Sequence, residues 1–225
     1  GDGIGDVCDT DTTPPAVAVV SSISDDTGSD SSDEITSDNT LFFNGTAEAN
    51  SSVEVFMGGV SIGTTTANND GDWSFDLTSL PLPDDIYNIT AQATDAAGNT
   101  GPISASLPIV VDTQAPLVSI DLGLMDSTNN VTPTIFGSAV GALGDIVVVT
   151  LSPAGSTDDI ILTTVVQQDG TWNVTPNLSE GNWSVEAEVT DEAGNTGYSS
   201  QDLTVDTTPP AVAITSSDLT NDTTP

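Results

Sequence analysis

The sequence predicts an all-β protein of two tandem β-sandwiches, about seven strands each, in a linear array. Three observations predict it. The phrase Thr94-Asp95-Ala96-Ala97-Gly98-Asn99-Thr100-Gly101 returns as Thr190-Asp191-Glu192-Ala193-Gly194-Asn195-Thr196-Gly197. A second phrase, Asp11-Thr12-Thr13-Pro14-Pro15, returns as Asp112-Thr113-Gln114-Ala115-Pro116 and Asp206-Thr207-Thr208-Pro209-Pro210, so the unit spans 101 residues and then 94. Between these marks, short runs alternate apolar and polar residues, Gly, Asn and Asp separate them, and no helical period appears.

The boundaries follow: an acidic lead at 1–11, a first unit at 12–111, a second at 112–205, and the opening strand of a further unit at 206–225. In the first unit the Pro pair forbids helix and sets an extended start, so Ala16 to Val20 is the first strand. Ser21 to Asn39 is a long polar loop rich in Ser, Asp and Gly. Strands follow at Leu41–Glu48, Val53–Met57 and Val60–Thr66. The turn Asn68-Asn69-Asp70-Gly71 leads into a period-two strand that puts Trp73, Phe75 and Leu77 on one face. Tyr87, Ile89, Ala91 and Ala93 repeat the alternation, as do Ile103, Ala105, Leu107, Ile109 and Val111. Seven short strands in about 100 residues argue for an immunoglobulin-like sandwich.

The second unit aligns on the first. Trp172 falls on Trp73, Trp183 on Tyr87, and Val185, Ala187 and Val189 on Ile89, Ala91 and Ala93. Gly137-Ser138-Ala139 falls on Gly45-Thr46-Ala47, and the strand between Asp145 and Leu151 on Val53–Met57. The tryptophans sit on inward faces and are core rather than a ligand platform. Beyond Asp206, Ala211-Val212-Ala213-Ile214 reads as a first strand without a sandwich. It either continues into a third domain or adds to a sheet edge in another molecule.

The chain has 34 acids and no Lys, Arg or His, for a formal net charge of −34. Phosphate recognition needs Arg or Lys, so a nucleic-acid partner is excluded, and an anionic membrane surface with it. The fitting partners are cations, Ca²⁺ foremost as a hard, oxygen-seeking ion; the plainer reading is that the charge keeps a long surface protein soluble in brine. Patterned apolar residues, 36% of the chain, separate it from a disordered polyanion. The single Cys8 has no internal disulfide partner. No apolar run approaches the length of a membrane span.

Asp2-Gly3-Ile4-Gly5-Asp6-Val7-Cys8-Asp9 carries carboxylates at short spacing around glycines, and resembles the end of a thrombospondin type 3 repeat, a calcium-wrapping motif; an acidic Gly-rich linker is the other reading. The paired phrases of residues 11 to 206 resemble the tandem bacterial Ig-like repeats of giant secreted adhesins and other prokaryotic surface proteins. That resemblance implies a stalk whose junctions are stiffened by Ca²⁺, with Asp11, Asp112 and Asp206 in the linkers and Asp95 and Asp191 in the loops as ligand positions.

Topology leads to the same pole. In a seven-strand sandwich the loop between the last two strands lies beside the incoming linker, so Asp95 is expected to face Asp11, and Asp191 to face Asp112. Other turns at this pole bring Asp70 and Asp72 near in the first unit and Asp169 in the second, where Thr171 replaces Asp72. Packed carboxylates repel, and Ca²⁺ with six to eight oxygen ligands would resolve the conflict. The alternative is turn chemistry alone: Asp95 and Asp191 cap a tight turn, Gly98 and Gly194 supply positive φ, and Asn99 and Asn195 close it.

Catalysis is not expected. No His or Lys base is present, Cys8 lies in a terminal linker, and no insertion builds a cleft. A sugar-binding platform would display exposed aromatics, whereas most of the ten aromatics here fall at core positions. Asn-x-Ser/Thr sequons begin at Asn44, Asn50, Asn88, Asn130, Asn173, Asn177, Asn182 and Asn221, and would carry sugar in a glycosylating host. The expected function is a non-catalytic, extracellular stalk segment whose partners are neighbouring Ig-like domains and which projects a tip toward a target the sequence does not name. The alternative is a subunit of a self-assembling filament or surface layer with strand exchange between units.

Overall fold

The computed structural model describes residues 11–122 and 126–213. The expected calcium-like head, with Asp2, Asp6, Asp9 and Cys8, and the strand residue Ile214 lie outside the described residues.

The chain is all-β, and each unit is a sandwich of a three-stranded and a five-stranded sheet. The first unit contains β1 (Val19–Ile23), β2 (Ile35–Thr36), β3 (Phe42–Thr46), β4 (Ser52–Met57), β5 (Val60–Thr66), β6 (Asp72–Asp76), β7 (Asp85–Thr94) and β8 (Leu107–Val111). One sheet runs β1-β3-β6 and the other β2-β8-β7-β4-β5. The second unit repeats this with β9 (Leu117–Asp121), β10 (Ser127–Thr128), β11 (Ile135–Val140), β12 (Ile146–Pro153), β13 (Ile160–Val165), β14 (Thr171–Val174), β15 (Gly181–Thr190) and β16 (Thr196–Val205). Its sheets run β14-β11-β9 and β10-β16-β15-β12-β13.

The period-two faces meet between the sheets as the alternation requires. Phe43, Val53, Val55, Trp73, Ile89, Ala91 and Ile109 fill the first core. Ile135, Val147, Val149, Leu151, Trp172, Trp183 and Val185 fill the second. All three tryptophans are buried, and the indole N–H groups of Trp73 and Trp172 have no hydrogen-bond partner among the described residues. The aligned Tyr87 and Trp183 serve one purpose: the Tyr87 hydroxyl donates to the Pro83 carbonyl at 2.8 Å and the Trp183 Nε1 to that of Ser179 at 3.1 Å, four residues upstream in each case. Gly45 and Gly137 sit opposite these cores for want of space. A Cβ at Gly45 would lie 2.0 Å from the Val19 carbonyl oxygen, and one at Gly137 would lie 1.9 Å from that of Ser119, each with a tryptophan ring behind.

Four expectations are corrected. The first strand begins at Val19, not Ala16, because the Pro14-Pro15 lead carries the chain past the sheet edge before it pairs with β3. The polar stretch from Ser21 to Asn39 is not all loop. It contains the end of β1 and also β2, which crosses to the other sheet and pairs parallel to β8, Ile35 with Val110 and Thr36 with Val111. Among the described residues each unit therefore has eight strands. The last strand of the first unit begins at Leu107; Ile103 is exposed and Ser104 is buried. Pro102 has no N–H to give a ladder, and Ser104 stands in for one: its N–H donates to the Ala91 carbonyl while its hydroxyl accepts from the Ala91 N–H. In the second unit Tyr198 occupies the position after the shared Thr-Gly, and β16 runs unbroken.

Candidate functional site: the junction between the two units

The recurring loop and the linker are built to meet. After β7, Asp95 accepts from the Asn99 backbone N–H and from its side-chain amide, both at 2.8 Å. Gly98 takes a φ of 90° to turn the chain. Closed this way, the Asn99 amide points outward and donates to the backbone carbonyl of Asp11 at 2.9 Å. The second copy is the same: Asp191 accepts from Asn195, Gly194 has a φ of 89°, and the Asn195 amide donates to the Asp112 carbonyl at 2.7 Å. The donors to Asp95, the Asn99 amide first, hold its carboxyl below the ordinary carboxylate range.

The linker phrase is itself a turn. Asp11 accepts from the Thr13 N–H, Asp112 from the Gln114 N–H and Asp206 from the Thr208 N–H, an Asx-type turn in all three copies. The preceding unit grips the phrase from its other side. Asp84 accepts from the N–H and hydroxyl of Thr113 at 3.0 and 2.8 Å. Glu180, at the aligned position, accepts from the hydroxyls of Thr207 and Thr208. These Thr donors hold both carboxyls below their ordinary range, the Thr113 hydroxyl leading for Asp84 and the Thr207 hydroxyl for Glu180.

A third contact comes from the stretch between β1 and β2. Thr27 is a hub: its Oγ1 accepts from the Ser37 N–H, lies 3.2 Å from Thr36 Oγ1, and donates to the Ala193 carbonyl of the second unit. Gly28 follows with a φ of 90°, and a Cβ there would lie 2.0 Å from the Glu192 carbonyl oxygen. Ala193 is buried by this contact, while its counterpart Ala97 is exposed.

Beside the contact is an open cleft of about 290 Å³, lined by Ile35, Asp112, Leu143, Asp145, Asp191 and Glu192 among others. Burial, and then the carboxylates of Glu192 and Asp191, hold the Asp145 carboxyl above its ordinary range. The chain has no cation to offset the three.

The structure thus brings Asp95 to the linker of Asp11, and Asp191 to that of Asp112, through the asparagines. Asp70 sits in the turn between β5 and β6, where its N–H bonds to Asn68, and Asp72 opens β6. Asp169 is taken up by the hydroxyl and N–H of Thr171. Among the described residues, no group of three His, Cys, Asp or Glu side chains is placed to hold a metal ion; the loop carboxylates are spent on turn bonds. Sequence reasoning missed Asp84 and Glu180, which the alignment of Tyr87 with Trp183 could have shown, each lying three residues upstream. It also missed Thr27 and Gly28, which nothing distinguishes within a Ser/Asp-rich run. Of the aromatics, Tyr198 is well exposed, at 74%, with Phe42 and Phe136 partly so.

Among solved structures, the chain is similar to a tetra-tandem repeat from the extending region of a large adhesion protein, with 26% identity, a TM-score of 0.41, and coverage of 84% of this chain and 50% of that one. It is similar to a structure of a 1.5-MDa bacterial ice-binding adhesin at 23% identity and a TM-score of 0.44, covering 86% and 65%. The first three fibronectin domains of chicken CNTN1 match at 16% identity and a TM-score of 0.42, covering 86% and 68%. The chain thus spans about half the length of the first of these and just under two thirds of the second. No curated protein matches it. Two successive stretches, residues 12–113 and 121–207, match the bacterial Ig-like domain, and the chain belongs to that family.

Proposed function

We propose that this chain is a non-catalytic stalk segment of a secreted, cell-surface, adhesin-like protein, in which each Ig-like unit is locked to the next. One observation carries the reading. The Asp112 peptide is held from both sides, its N–H donating to the Thr36 carbonyl of the first unit and its carbonyl accepting from Asn195 of the second. A linker so fixed sets the angle between units, as a spacer requires and a flexible tether does not. The bare turn at Ala96–Gly98 and the Glu180-held phrase at Thr207–Thr208 offer the same halves of a joint to further units.

Ca²⁺ enters this proposal as a cation drawn to the acidic junction, where Asp145, Asp191 and Glu192 repel one another without being placed to ligate it as a group; its gathering there would offset that repulsion and add stiffness to the hydrogen-bonded clasp. Small-angle scattering of residues 1–225, titrated with Ca²⁺ and then chelator, tests both parts. An extended, narrowly distributed two-domain particle supports the locked stalk, and a further fall in flexibility with Ca²⁺ supports the metal. A broad distribution of interdomain distances in both conditions would sink the stalk reading. A narrow one indifferent to Ca²⁺ would remove only the ion.

A further inference from the structure

The second unit ends its larger sheet on β13, and among the described residues nothing pairs with the outer edge of that strand. Proteins normally guard such an edge with charge, Pro, a bulge or a cover. The corresponding edge in the first unit is guarded. β5 contains Gly63 at a φ of 148°, its pairing with β4 shifts register at Val55/Phe56, and the Thr65 hydroxyl reaches across to the Ser74 carbonyl. β13 has none of these devices. Ile160-Ile161-Leu162-Thr163-Thr164-Val165 carries no charge, no Gly and no Pro, and pairs with β12 in unbroken register.

The direction of its backbone is fixed by its neighbour. The Val166 N–H donates to the Asp145 carbonyl and the Val166 carbonyl accepts from the Gly144 N–H, so Val166 faces β12. Backbone direction alternates along a strand, which turns the N–H and C=O of Ile161, Thr163 and Val165 to the open edge. The Gln167 side-chain amide reaches the Val165 carbonyl there at 2.9 Å, a flexible cap on an otherwise unused acceptor. The side chains of the same residues stand on the solvent face, with Ile161 64% and Val165 43% exposed, beside the exposed Ile146 and Val148 of β12.

We propose that β13 is a self-pairing edge, which joins two copies of this chain through an antiparallel β13–β13 ladder with its twofold axis at Thr163. That register uses the outward groups alone: Ile161 opposite Val165, Thr163 opposite its own copy, Val165 opposite Ile161, each pair exchanging both bonds. It also decides between a second copy and an unrelated strand by charge. In a polyanion, most self-contacts set carboxylate against carboxylate, but here Asp159 falls opposite Gln167 and Asp158 opposite Gln168, amide donors to both. The two larger sheets become one, and the apolar strip of Ile146, Val148, Ile161 and Val165 is doubled across the axis. Long-range repulsion between two chains of charge −34 opposes the union, so it strengthens as salt shortens the Debye length to about 3 Å at 1 M. The inference stands apart from the stalk reading, which concerns end-to-end joints.

Sedimentation equilibrium of residues 1–225 in 0.05 and 1 M NaCl tests it, with Ile161→Glu, Thr163→Pro and, as the control edge, Val60→Glu. The expected result is a monomer–dimer equilibrium that tightens with salt, weakens at least tenfold in Ile161→Glu and Thr163→Pro, and is unchanged in Val60→Glu. Circular dichroism melts confirm that each variant is folded; the Thr163 N–H faces outward, so Pro there spares the ladder with β12. In a Cys8→Ser background, Thr163→Cys is expected to form a disulfide-linked dimer under mild oxidation, since residue 163 meets itself. A chain monomeric at every salt concentration, or a dimer indifferent to both β13 variants, overturns the proposal.

Discussion

Asn195 donates to the Asp112 carbonyl of the linker phrase at 2.7 Å, and Asn99 repeats the bond to Asp11 at 2.9 Å. In both copies the aspartate four residues earlier holds the asparagine in place. The recurring phrase is thus a latch in which Asp positions Asn and Asn grips the linker.

Asn195→Ala removes the latch at the central junction without touching either core. It is expected to widen the distribution of interdomain distances in scattering and to lower the melting temperature of the second unit by a few degrees, from a loss of about 1 kcal/mol per hydrogen bond. Asn99→Ala is expected to leave the central junction unchanged.

Acid is expected to loosen the linker. Asp84, Asp95 and Glu180 all have carboxyls held below their ordinary range by hydrogen bonds made to the charged form. A depressed folded-state pKa contributes stability that is present above the unfolded value, near 4, and is lost as pH falls through the folded value. Asp145, held high, changes in the opposite sense, since protonation relieves its repulsion as pH falls through its raised value. Scattering from pH 7 down to pH 3 is expected to show flexibility appearing only below about pH 4. In Asp84→Asn part of that flexibility is expected already at pH 7.

Gly137→Ala puts a methyl 1.9 Å from the Ser119 carbonyl oxygen, with the Trp172 ring behind it at 2.5 Å. Strands β9 and β11 must part to admit it. Overpacking of this kind costs about 1–3 kcal/mol, and calorimetry is expected to show the second unit melting well before the first. Gly45→Ala is expected to reverse that order.

Tyr87→Phe deletes one hydroxyl and its bond to the Pro83 carbonyl. A loss of about 1 kcal/mol, confined to the first unit, is expected in a denaturant titration.

The regular part of this fold was legible because alternation alone assigns a face. Val60–Thr66 comes out of the sequence with the bounds it has in the structure, and Trp73, Trp172 and Trp183 are buried as the pattern requires. The turn chemistry of Asp95 to Asn99 was legible too, as one of two readings. β2 was not, because two residues, Ile35 and Thr36, carry no periodicity, and they are placed by the non-local pairing to Val110 and Val111. Nor was the order of the stretch before it. Its polar residues bond to one another, as when Glu34 N–H donates to Asp26 and Thr36 Oγ1 to the Asp25 carbonyl, and composition cannot tell such a stretch from a solvated loop. Asp95 and Asp191 reach the linkers of Asp11 and Asp112 only through Asn99 and Asn195, because hydrogen-bond partners depend on side-chain directions that spacing does not encode.

The parallel pairing of β2 with β8 bears on how the chain meets tension. Force applied along the array draws the linker before β1 and the one after β8 toward opposite poles. Parallel strands anchored that way slide past each other in shear, so their cross-links yield together rather than one at a time. The bonds Val110 N–H to Glu34 and Asp112 N–H to Thr36 recur in the second unit as Thr204 N–H to Asp126 and Asp206 N–H to Thr128. Each unit therefore places a short brake beside its exit, and a pull on the ends meets the same brake in both.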